Sequence, residues 1–119
     1  MELENFKNIN NNSNLKEKLE KILNLIGKEN NNQIYTKCQG FLEYILAKTA
    51  KKCNFSFSSF LITDFIKLFD DNFLKDQLIH INALYNEILE QSISEFDISY
   101  LLLKIDYIVG HIEKEYGII

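Results

Sequence analysis

The sequence predicts an all-α protein, an up-down bundle of about five helices in one domain. Three observations predict it. Apolar residues recur at intervals of three and four along nearly the whole chain. The breaks between these stretches carry residues that start or stop helices, among them Asn14, Gly27, Ser58, Ser94 and Gly117. No alternating apolar and polar run bounded by turn residues persists, so no sheet is expected.

Residues 1–13 are polar and rich in Asn. Leu3, Phe6 and Ile9 are spaced for a short docked helix, but the segment reads as a frayed tail ahead of a bundle domain over 14–117. The first clear helix is expected over 15–26, with Asn14 as its cap and Glu17 three residues on. Leu15, Leu19, Ile22 and Ile26 form its stripe, and Gly27 occupies the position that favours a left-handed residue.

A second helix is expected over 33–53, with Ile34, Cys38, Phe41, Leu42, Ile45, Leu46 and Thr49 on one face. Gly40 in its middle costs roughly 1 kcal/mol against Ala and suggests the close approach of another helix. The segment 54–58 reads as a linker. Ser58 then caps a third helix over 59–69, whose residues Leu61, Ile62, Phe65, Ile66, Leu68 and Phe69 place it centrally in the core. Asp70-Asp71-Asn72 makes a capping turn. A fourth helix follows over 73–90, and Ser94 with Asp97 caps a fifth over 95–116. The stripe of that last helix is Ile98, Leu101, Leu102, Ile105, Ile108, Val109, Ile112 and Tyr116. Short connections favour antiparallel neighbours.

Composition narrows the function classes. The chain has 119 residues, of which 46% are hydrophobic, enough for one core and too many for a disordered segment. The formal net charge is -4, and all 13 basic residues are Lys. An acidic chain without Arg lacks the side chain best suited to phosphate and guanine contacts, which argues against a dedicated nucleic-acid binder. Cys38 and Cys53 fall on one predicted helix roughly 22 Å apart at its 1.5 Å rise, so a disulfide between them is not expected and a reducing compartment is. The acidic start Met1-Glu2-Leu3-Glu4 is unlike a signal peptide, and no apolar run is long enough for a membrane span, so a cytoplasmic location is expected.

The search for chemistry yields no catalytic or metal-binding constellation and no expected cofactor. Cys38 lies on a core stripe and Cys53 at a helix C-terminus, where the dipole disfavours a thiolate. Asp76 with His80, and His111 with Glu115, are four residues apart, but each pair supplies only two of the four ligands of a structural zinc site. A hairpin turning near Ile93 would place Asp106, not His111, beside His80. The acids around Asp70 lack the spacing and central Gly of a calcium loop. The four glycines are too scattered for a phosphate loop.

Two features remain as candidate partner-binding surfaces. One is the aromatic linker of Phe55, Phe57 and Phe60, in which Phe57 could instead staple onto Ile62 across the Ser58 cap. The other is the cluster Lys48, Lys51 and Lys52 at the end of the second predicted helix, where cations also favour the helix dipole.

Leu42-Glu43, the stretch Leu84-Tyr85-Asn86-Glu87, and Ile93-Ser94-Glu95 opening the last helix follow one another in an order that resembles the HEPN-like helical domains of prokaryotic defence and toxin-antitoxin systems. The likeness covers about residues 37–116. Active members of that family carry an Arg followed by a His, which this Arg-free chain cannot have. The resemblance therefore implies a catalytically inactive scaffold, working as a dimer in a defence or toxin-antitoxin complex.

The expected function is that of a non-enzymatic protein-interaction module. It would present a helix face or the aromatic linker to a protein partner, in the manner of small acidic immunity proteins, antitoxins and phage-encoded inhibitors. The inactive HEPN-like scaffold, with a homodimer, is one alternative. An enzyme using His80 or His111 with carboxylates is the other.

Overall fold

The computed structural model describes residues 2–59, 61–88, 92–117 and 119. Among these described residues the elements are a 3-10 turn (Leu3–Asn5) and six helices: α1 (Lys7–Asn10), α2 (Ser13–Leu23), α3 (Asn31–Lys52), α4 (Ile62–Leu68), α5 (Asn72–Ile88) and α6 (Glu95–Tyr116). The protein is an all-α helical bundle, and no strand occurs among the described residues. No described helix is long and apolar enough to cross a membrane.

The two longest helices, α3 and α6, pack most extensively on one another. They run parallel: Tyr35 shares a cleft with Asp97 near their starts, and Lys52 meets Gly117 at their ends. Between them in sequence, α4 packs on α5, and α5 runs antiparallel to α6. Phe73 of α5 packs at a tilt against Tyr107 and His111, and Gln77 accepts from Lys104 further back along α6. The apolar stripes expected for the second and fifth helices are the ones buried, from Ile34 to Ala50 on α3 and from Ile98 to Ile112 on α6.

The capping chemistry places most boundaries. Ser94 and Asp97 form a reciprocal capping box at the start of α6, and Gly117 ends it at φ 90. The end of α3 is a Schellman motif: Phe55 N–H donates to the Ala50 carbonyl, Asn54 N–H to that of Lys51, and Asn54 takes the left-handed conformation at φ 59. Gly27 is left-handed at φ 82, but in the turn that follows α2, which already ends at Leu23 with Asn24 as its C-cap.

Four expectations are corrected. The segment before Asn14 is docked instead of frayed, with Phe6 and Ile9 wholly buried. Its anchor is Asp106 on α6, whose Oδ1 accepts from Ile9 N–H at 2.8 Å and whose Oδ2 accepts from the Asn8 amide at 3.3 Å. A carboxylate from another helix thus caps the start of α1, which has no side-chain cap of its own. The cap of α2 is Asn12, not Asn14: Asn12 Oδ1 accepts from Leu15 N–H at 3.1 Å, while Asn14 lies inside the helix and its amide donates to the Tyr44 hydroxyl. The third predicted helix shrinks to α4, whose N-cap Leu61 makes no side-chain cap bond. Phe57 packs on Phe65, and Ser58 caps nothing there. Finally, Gly40 admits no neighbouring helix, since a Cβ there would meet nothing within 4 Å. The close approach occurs at Gly110, where the Asn8 amide lies 2.7 Å from where a Cβ would be.

Candidate interaction surface

The predicted aromatic linker is drawn into the fold by the rings beneath it. Phe55 lies edge-on to Phe69, Phe57 tilts against Phe65, and Phe69 in turn meets Tyr116. Phe57 is half-buried and Phe55 is at the margin of exposure. Phe60 lies outside the described residues.

The Lys cluster divides. Lys48 and Lys51 line a shallow groove on α3 with Gly40, Glu43, Tyr44 and Ala47, and Lys48 stands over the Tyr44 ring from one side while Lys18 covers it at 4.3 Å from α2. Lys52 turns away toward the end of α6, its Nζ 2.9 Å from where a Gly117 Cβ would lie. Burial holds the Glu43 carboxyl above its usual range beside this groove.

The histidines are kept apart. His80 faces Tyr100 and Lys104, whose ammonium lies 2.9 Å from Nδ1, and not Asp106. The α5–α6 register is thus about one helical turn away from the one drawn from a hairpin centred on Ile93. His111 does not use Glu115. Its Nε2 lies 2.6 Å from Asp71 Oδ2, which also accepts from the Tyr116 hydroxyl at 2.9 Å, while Oδ1 caps α5 through Leu74 N–H at 3.0 Å. Burial acts to raise the Asp71 carboxyl, but the bonds from His111, Leu74 N–H and Tyr116 outweigh it and leave the group below its ordinary value. Burial, then the bond to Asp71, pushes the Tyr116 phenol up, so that it stays protonated and donates. This carboxylate, imidazole and phenol tie the start of α5 to the end of α6. They offer no activated nucleophile. The Cys38 thiol is wholly buried and pushed up to about 12 by that burial, far from the range of a reactive thiolate. Both cysteines are free, and no three His, Cys, Asp or Glu side chains gather as a metal would require among the described residues.

Of the residues that carried the family resemblance, Glu43, Tyr85 and Asn86 line one groove between α3 and α5. Leu42 is buried, Leu84 and Tyr85 are half-buried on α5, and Asn86 and Glu87 are exposed.

The feature that stands out was not among the predicted sites. Directly opposite the buried stripe of α6, Phe96, Tyr100, Leu103 and Tyr107 project outward with exposures of 75%, 37%, 46% and 60%. Their intervals of four, three and four set them on one helix face. Phe96 and Tyr100 stack, and Tyr107 leans on Phe73 of α5. Beneath Phe96 and Tyr100 opens a cleft of about 150 Å³, lined from α5 by Ile81, Leu84 and Ile88 and from α3 by Tyr35. Asp97 and Lys104 flank this face on the α5 side. The signal for it was present in the sequence: α6 is apolar on two opposite faces, and a single core can bury only one. No family model matches this chain, and no curated protein or solved structure was found to be similar to it.

Proposed function

We propose that this chain is a non-enzymatic protein-interaction module whose docking surface is the outer face of α6. The observation that carries the reading is the row Phe96, Tyr100, Leu103 and Tyr107, four large apolar side chains left in water on one helix. Such a contiguous patch is unfavourable in a lone monomer and is the usual mark of a partner site. Its composition, two Tyr and a Phe around a Leu, suits the buried centre of an interface, where aromatic anchors supply most of the affinity. The cleft under Phe96 and Tyr100 gives a partner side chain a pocket to enter. Size and acidic charge group the chain with small immunity, antitoxin and inhibitor proteins, and the free thiols of Cys38 and Cys53 suit a reducing cytoplasm.

A photo-crosslinking amino acid placed at Leu103 tests this in the producing cell. Discrete protein adducts are expected at Leu103, and none at Lys21 on the exposed side of α2. Equal labelling at both positions, or none at Leu103, refutes the reading.

A further inference from the structure

We infer that the occupant of the α6 outer face is a second copy of this chain, packed antiparallel across a two-fold axis. This rests on reading that face as a docking surface and names what docks there. Phe96, Tyr100, Leu103 and Tyr107 alternate intervals of four and three, the spacing of a seam between two helices. A two-fold contact must be self-complementary, and one antiparallel register satisfies the whole seam. It sets Tyr100 of one copy against Leu103 of the other and Phe96 against Tyr107.

The flanking charges select the same arrangement. In that register Asp97 of each copy lies beside Lys104 of the other, so two opposite-charge pairs form by symmetry. A parallel pairing instead leaves these groups opposite Ser92 and Ser99. Asp97 is held in place by the capping box, and Lys104 by Gln77 and His80, so both charges are positioned before any partner arrives. With one acid and one base on its flank, the face offers no excess charge to a strongly acidic or basic partner, but it does match its own copy.

Sedimentation velocity of the purified chain, from micromolar to near-millimolar concentration, is the test. The wild type is expected to pass from monomer to dimer. Leu103→Glu, and independently Tyr107→Lys, should weaken the dimer at least about tenfold with an unchanged helical circular-dichroism spectrum. In a Cys53→Ser background, chains carrying Phe96→Cys mixed with chains carrying Tyr107→Cys should yield a disulfide-linked dimer on mild oxidation, and neither chain alone should. A dimer unaffected by both charge substitutions, or Phe96→Cys chains pairing with themselves, overturns the inference. A wild type that stays monomeric also overturns it. If Leu103 then crosslinks to a different protein, the docking reading stands and only its occupant changes. If Leu103 crosslinks to nothing, both fall.

Discussion

Leu102 and Leu103 are neighbours in the chain, yet one is fully buried and the other is 46% exposed. Each belongs to an apolar row on α6. The inner row runs from Ile98 to Ile112 and is pressed against α3, whereas the outer row runs from Phe96 to Tyr107 and faces water. Residue type and helical spacing do not separate them. The difference teaches that hydrophobic periodicity reports a helix and its orientation, while the use of each face depends on what the rest of the chain brings against it.

The largest expected effect tests that comparison directly. Leu102→Ala removes packed atoms from the core and should cost about 2–5 kcal/mol. Leu103→Ala should change monomer stability by less than about 0.5 kcal/mol. Urea denaturation under monomeric conditions measures both, and equal losses would erase the distinction between the faces.

The edge between the two faces sharpens it next. Asp106→Ala leaves the Ile9 N–H and the Asn8 amide without their acceptor, at an expected cost of about 1–3 kcal/mol. Hydrogen exchange of the amides of residues 6–10 should accelerate more than that of α3. Uniform protection across both segments would show that Asp106 does not anchor α1.

The opposite edge supplies a pH dependence. Asp71 is held below its ordinary carboxylate value when folded. Its ionised form therefore favours the folded state above the unfolded value, and that stability disappears as pH falls through the lowered one. Asp71→Asn keeps a side chain able to cap α5 but removes the charge. The variant should be less stable at neutral pH and should lose less on acidification, as read by denaturation at descending pH. Parallel acid profiles for the two proteins would contradict this.

The smallest effect compares two glycines. Gly40→Ala meets open space in mid-helix and should stabilise by about 0.5–1 kcal/mol. Gly110→Ala should gain less, because the Asn8 side chain must leave its bond to Asp106 to make room. Thermal melts of the two variants distinguish them, and equal gains would mean that Asn8 moves at no cost.

Much of the fold was legible in the residues. The last helix has the bounds its capping box and closing glycine imply, and the buried faces of α3 and α6 are the ones their spacing marks. The misreadings share a physical origin. Asn12 and Asn14 are equally good caps by chemistry, and the helix starts at Ser13, which puts Asn12 at the cap and leaves Asn14 inside, its amide donating to the Tyr44 hydroxyl. The segment around Phe6 and Ile9 is too short to form a helix alone and is held by Asp106, roughly a hundred residues away in sequence. The candidate site was the least legible part. Phe55, Phe57 and the three lysines were selected as clusters in sequence, and the structure leaves Phe55 and the lysines exposed, half-buries Phe57, and turns Lys52 away from Lys48 and Lys51.

The sequence by itself determined an all-helical chain, the places where α5 and α6 begin, and the faces that seek a core, because capping and side-chain periodicity are local properties of the backbone. Tertiary structure alone decided that α3 and α6 lie parallel and that His111 finds Asp71 instead of Glu115. It alone left Phe96, Tyr100, Leu103 and Tyr107 uncovered. Those outcomes depend on which surfaces meet across long stretches of chain. A helix with two apolar faces cannot tell from its own residues which one its neighbours will bury.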